Sequence, residues 1–182
     1  NFSWSSIWNQ TNGYATDGSY APTTQTGQTN YSGLVAWYRF NNELGENSTN
    51  IIDWSGQANN ATALNGAIIN KTGMLEGGAQ FEGTNDLFNM SSLPISGTGS
   101  FSIFSWVRTL NISNRKSIVS LGANSANNDG VYLFINSNNQ AQTDLTNIAG
   151  PSSSATVTDG LWHFVGVVNN GGTIQIYVDG AA

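Results

Sequence analysis

The chain has no cysteine, 1 histidine and only 5 lysines and arginines in 182 residues. Without cysteine there is no disulfide framework, and with a single histidine no zinc site can be assembled from the familiar ligands. So few cations exclude nucleic acid as a partner, because a grip on the phosphate backbone needs clustered Lys and Arg. Arg115-Lys116 is the one adjacent basic pair. Charged residues are 9% and the net charge is −6, where an average soluble domain is roughly one quarter charged. No apolar run reaches the roughly 18 residues of a membrane-spanning helix, so membrane insertion is excluded as well. Gly97–Ser100 is glycine-rich, yet it lacks the lysine and the strand–helix setting of a phosphate loop.

What is present is a core-forming share of 38% hydrophobic and 11% aromatic residues, enough for one domain. Asparagine occurs 25 times. Asn1, Asn9, Asn30, Asn47, Asn60, Asn70, Asn89 and Asn111 each open an N-x-Ser/Thr sequon. Such acceptors fit an extracellular or cell-surface glycoprotein, and glycan keeps a charge-poor surface soluble.

Residues 1–32 are rich in Ser, Thr, Gly, Gln and Asn and almost free of aliphatic side chains. They read either as a linker or as an ordered arm, with Trp4, Trp8, Tyr14 and Tyr20 as assembly anchors. From Gly33 the texture changes. GLVAWYRF at 33–40, FSIFSWVRT at 101–109, SIVSLG at 117–122 and VYLFIN at 131–136 alternate with period two and predict strands. LWHFVGVV at 161–168 and TIQIYVDG at 173–180 flank Asn169-Asn170-Gly171-Gly172, a sequence suited to a hairpin turn. No stretch carries a sustained helical period. The fold class is all-β.

Five segments in order resemble the laminin G-like branch of the concanavalin A-like lectin/glucanase jellyrolls: GLVAWYRF (33–40), DWSGQANNAT (53–62), GMLEGGAQFEG (73–83), FSIFSWVR (101–108) and LWHFVGVVNNGGTIQIYVDG (161–180). The resemblance implies an antiparallel two-sheet sandwich over residues 33–182. It also implies a secreted or cell-surface setting, carbohydrate or surface-protein partners, and in some members a structural calcium. The family pattern continues beyond the YVDG turn, so the expected sandwich lacks its last C-terminal strand or strands. Truncation, completion by the N-terminal arm, or a strand donated by another copy would each account for this.

The loop Asp53–Asn60 gathers oxygen donors. In the light of the resemblance Asp53 is a candidate calcium ligand, with an Asx-turn role as the alternative. Trp54 offers a face for a sugar, with Asn59 and Asn60 as amide partners, or else it packs over the loop. Asp129 and Asp179 stand beside glycines in turns, and His163 shares the parity of Leu161 and Val165, as a packed or interfacial histidine would. Glycoside hydrolysis needs two carboxylates facing each other across a cleft. Glu43/Glu46 and Glu82/Asp86 lie in polar loops without the alternating strand pattern of sandwich glucanases. The reading is therefore a non-catalytic carbohydrate-binding or adhesion module. The alternative is a structural subunit of an extracellular filament or surface layer, with copies of itself as partners.

Overall fold

The computed structural model describes residues 33–90, 95, 99–110, 112–122, 130–145 and 148–182. The expectations placed on Trp4, Trp8, Tyr14, Tyr20, Asn1, Asn9, Asn30, Asn111 and Asp129 lie outside the described residues. Within them are eleven strands and no helix. They are β1 (Ala61–Leu64), β2 (Ile68–Thr72), β3 (Gly77–Gln80), β4 (Leu87–Met90), β5 (Phe101–Arg108), β6 (Lys116–Leu121), β7 (Val131–Ile135), β8 (Gln140–Leu145), β9 (Ile148–Thr156), β10 (Trp162–Asn170) and β11 (Thr173–Val178).

Two antiparallel sheets, β11-β10-β5 and β6-β7-β8-β9, enclose the main core. Alternation sets which side chains enter it. In β5, Phe101, Ile103 and Val107 turn inward while Phe104, Trp106 and Arg108 face out. Val165 and Val167 of β10, Ile176 and Val178 of β11, and Leu133 and Ile135 of β7 complete the apolar layer. β8 contributes Ala141, Thr143 and Leu145. The Thr143 hydroxyl donates to the Tyr132 carbonyl at 2.9 Å, so this buried polar group is satisfied.

The predicted hairpin forms with a two-residue turn. Asn170 pairs with Thr173, and Gly171 and Gly172 both take positive φ, 58° and 98°, the primed geometry that matches strand twist. Asn169 lies inside β10, buried, donating to the Gly99 carbonyl at 2.8 Å.

A second, smaller cluster joins Ile51, Ala61 and Ile69 to Tyr38, Phe40, Phe88 and Met90, over the ribbons β1-β4 and β2-β3. Here the strand expected at residues 33–40 is corrected. It makes one isolated bridge, Tyr38 to Asp53. Its backbone groups are diverted: the Trp37 N–H donates to the Asp53 carboxylate at 2.8 Å, and Phe40 turns at φ 58°. Both Tyr38 and Phe40 still deliver their rings to the cluster, as their shared parity requires.

Candidate functional site

The outer face of β11-β10-β5 is aromatic. Phe104 and Trp106 of β5 stand opposite Gly166 and Phe164 of β10. The ring of Phe104 stacks on Phe164, with centroids 5.4 Å apart and planes inclined by 5°. Trp106 lies 5.1 Å from the same ring, and Arg108 covers Trp162 at 5.1 Å. Gly166 is what lets Phe104 lie flat, because a Cβ there would fall 2.1 Å from its Cδ1. Phe104 remains 47% and Trp106 37% exposed. Scattered exposed apolar residues are ordinary, but a contiguous aromatic patch marks a contact surface.

The loop singled out in the sequence is organised from within. Asp53 is fully buried, and its carboxylate accepts from the N–H groups of Trp37, Ser55 and Asn59 and from the Ser55 hydroxyl, at 2.7–2.9 Å. Donors aimed at an anion repel a cation, and one carboxylate falls far short of the about six to eight oxygens calcium takes. The groups around Asp53 do not fit that ion; they fit the Asx-type role. Asn59 spends its side-chain amide on the Val35 carbonyl at 2.8 Å, and the Asn60 side-chain oxygen accepts from the Asp53 N–H at 2.9 Å. Trp54 lies beneath the Arg39 guanidinium, 5.0 Å from the ring centroid. These residues are brought together: Asn59 Nδ2 and Asn60 Oδ1 are spent on the protein, Asn60 is otherwise exposed, and the Trp54 indole N–H is buried without a hydrogen-bond partner among the described residues.

Tyr38 adjoins this loop. Its hydroxyl donates to the Asn59 carbonyl, and burial, followed by the nearby Asp53 charge, pushes its pKa up to about 12.

The Laminin_G_3 family model, described as the concanavalin A-like lectin/glucanases superfamily, matches residues 82–182, more than half of the chain. The chain belongs to that superfamily. No curated protein matches it. Among solved structures, an S-layer domain-containing protein from Clostridium thermocellum is similar, with 23% sequence identity and a TM-score of 0.53. The match covers 79% of this chain and 68% of that one, and it is a likeness of fold.

Two further clusters in this concanavalin A-like sandwich were not legible as sites in the sequence. His163 sits between two carboxylates: Nδ1 is 2.8 Å from Asp179 Oδ2 and Nε2 is 3.0 Å from Asp159 Oδ1. Asp179 also accepts from the Phe164 N–H and Asp159 from the Leu161 N–H, both at 2.8 Å. The hydrogen bond to Asp179 is the main reason His163 is held above the usual histidine range, and Asp159 adds to it. The lone-histidine signal pointed to packing, but the partners come from turns 4 and 16 residues away. The second cluster crosses the outer face of β7-β8. Arg115 lies over Phe134, 3.4 Å from its centroid, and pairs with Asp144 at 3.2 Å. Asp144 accepts from Gln142, which accepts from Asn136.

The carboxylate pairs weighed for glycoside hydrolysis hold loops together. Glu46 accepts from the Glu43 and Ile52 N–H groups, and Glu43 pairs with Arg39 at 2.9 Å. Burial raises the Glu43 pKa although Arg39 opposes it. Asn47, Asn60 and Asn89 are exposed, and Asn70 lies on β2.

Proposed function

We propose that the chain is a non-catalytic structural module of a surface layer outside the cell, with copies of itself as partners. The observation that carries this reading is the exposed aromatic face of β5 and β10. Such a face is apolar enough to drive association, and its one charge is already stacked on a tryptophan. The sequence supports the same chemistry elsewhere, since Trp4, Trp8, Tyr14 and Tyr20 would add aromatic anchors from residues 1–32. Support for an extracellular setting comes from the sequons, the superfamily, and the fold shared with an S-layer domain-containing protein. Negative-stain microscopy of natively purified material, with light scattering of the same sample, tests the reading. Sheets or filaments with a regular repeat are expected. A dispersed species near 19.3 kDa plus glycan would overturn it.

A carbohydrate-binding module is the second reading, favoured by the row Asn136, Gln142, Asp144 and Arg115 over the rings of Phe134 and Tyr132. The amides and the charged pair suit a sugar's hydroxyls, and the half-buried Tyr132 is the ring beside them, since Phe134 is buried beneath Arg115. On a glycan array, binding that Arg115→Ala abolishes would support it. No binding, or binding indifferent to Arg115, removes it.

A further inference from the structure

Asn60, Asn70 and Asn89, three of the sequon asparagines, stand in or beside strand ladders. Asn70, Lys71 and Thr72 end β2, where Lys71 and Thr72 pair with Gly78 and Gly77 of β3. Asn60 leads into β1 through Ala61, which is buried and exchanges both backbone hydrogen bonds with Ile51, at 2.7 and 2.9 Å. Thr62 of that sequon pairs with Asn89 of β4. Met90, which follows Asn89, packs against the second cluster. A glycosyltransferase must surround both the acceptor asparagine and the hydroxyl two residues on. Each of these segments would first have to leave its ladder.

Asn47-Ser48-Thr49 is built differently. Asn47 and Asn50 form an isolated bridge, exchanging backbone hydrogen bonds at 3.0 and 3.2 Å, which closes a tight turn over Ser48 and Thr49. The Asn47 side-chain oxygen accepts from the Thr49 N–H and from the Thr49 hydroxyl, both at 2.8 Å, the local bonding that asparagine favours in turns. All three sequon residues are exposed. The base of the turn is anchored. Buried Glu46 accepts from the Ile52 N–H, the Asn50 side chain donates to the Gly45 carbonyl at 2.8 Å, and Ile51 is held by Ala61. A fixed base therefore presents a polar tip on which the acceptor amide and the sequon hydroxyl already lie side by side.

We propose that Asn47 is a glycan acceptor of the folded chain, with a sugar carried on a lipid diphosphate as the donor. Asn47 Nδ2 attacks the anomeric carbon of that sugar. The bond from this carbon to the phosphate oxygen breaks, and the lipid diphosphate leaves with the electron pair. The Nδ2 proton passes to a base of the glycosyltransferase. The carboxamide oxygen, the end spent on the turn, is not consumed, so both hydrogen bonds from Thr49 survive in the product. A bulky, hydrated group at this tip keeps the turn out of close contact between copies, and assembly proceeds through other surfaces. The inference rests on the extracellular setting in the reading above, and not on self-association.

Electron-transfer mass spectrometry of peptides from the natively purified full chain should find glycan on Asn47. Asn47→Asp keeps an oxygen for the two Thr49 donors and should lose that glycan with circular dichroism unchanged. Thr49→Ala should lose it as well, and Thr49→Ser, which restores the hydroxyl, should regain it. A second measurement is independent of where the protein is exported. The folded, unglycosylated chain is offered to an oligosaccharyltransferase and its lipid-linked donor, beside synthetic peptides covering residues 44–52, 57–65 and 86–94. All three peptides should be modified, whereas the folded chain should be modified at Asn47 and spared at Asn60 and Asn89. Equal modification of Asn60 or Asn89 in the folded chain, or a folded chain refused at Asn47, overturns the site. A native chain bare at Asn47 overturns it too, and the transferase assay then assigns the fault. Acceptance by the folded chain places the failure in the extracellular setting, and refusal places it in the turn.

Discussion

His163 and Asp179 tie the start of β10 to the turn that ends β11, with Nδ1 and Oδ2 2.8 Å apart. Asp159 holds the other ring nitrogen. Only a protonated imidazole can donate to both carboxylates at once, so the clamp depends on the charged form.

The pH dependence follows from the three shifts. His163 is raised in the folded state, so its contribution is complete below about pH 6.5 and is lost as pH rises through its folded value. The carboxylates are lowered, Asp179 chiefly by His163 and Asp159 chiefly by the Leu161 N–H. Their contribution is complete above about pH 3.9 and is lost as pH falls through their folded values. The clamp is therefore strongest between these limits. Thermal midpoints of the unmodified chain and His163→Gln, measured from pH 3 to 9, should differ most near pH 5 and converge above neutrality. A difference that grows with alkalinity would contradict the clamp.

Asp53 organises its loop by accepting four hydrogen bonds in a buried setting. Asp53→Ala strands those donors, and each buried unsatisfied group costs about 1–3 kcal/mol. A loss of roughly 3 kcal/mol or more in urea unfolding is expected, relieved in part by water entering the loop. A loss below about 1 kcal/mol would show that the carboxylate is dispensable. Calcium or a chelator should leave the midpoint of the unmodified chain unmoved, because the donors around Asp53 are arranged for an anion.

Tyr38 reports on the same loop from the alkaline side. Its phenol is pushed up to about 12 by burial and then by Asp53. A group raised in the folded state gives stability that is complete below its unfolded value, about pH 10, and is lost as pH rises toward the folded one. Tyr38→Phe should cost about 1 kcal/mol at neutral pH and flatten the fall in stability above pH 10. An unchanged alkaline slope would place the titration elsewhere.

The parts of the fold legible in the sequence are those where burial enforces alternation. β5, β7, β10 and β11 carry branched and aromatic side chains that a sandwich core must receive, and the Gly171-Gly172 turn is nearly dictated by its chemistry. β8 escaped because its inward residues include Ala141 and Thr143, too small or too polar to advertise a buried face. β9 escaped because exposed serines and Pro151 resemble a loop. Residues 33–40 misled in the opposite direction: their alternation is real, but the Asp53 side chain takes the hydrogen bond a neighbouring strand would have taken. The aromatic face was invisible for a related reason. Trp106 and Trp162 were legible as strand residues, but which side of the sheet stays open depends on the other sheet's position.

Gly166 connects that face to stability. A glycine inside a strand normally weakens it, and replacing it with alanine gains about 0.5–1 kcal/mol where space allows. Here the added Cβ would meet the Phe104 ring at 2.1 and 2.3 Å, so the ring must leave its stack on Phe164. The expected net effect of Gly166→Ala is a loss of about 1–3 kcal/mol, typical of overpacking. The sign separates this account from a purely conformational one, since an open site would make the variant more stable. A double-mutant cycle makes the attribution specific. With Phe104→Ala in place the obstacle is gone, and Gly166→Ala should become neutral or stabilising. If the loss persisted without the ring, its cause would be the β10 backbone, and the flat seating of Phe104 would no longer explain why position 166 is glycine.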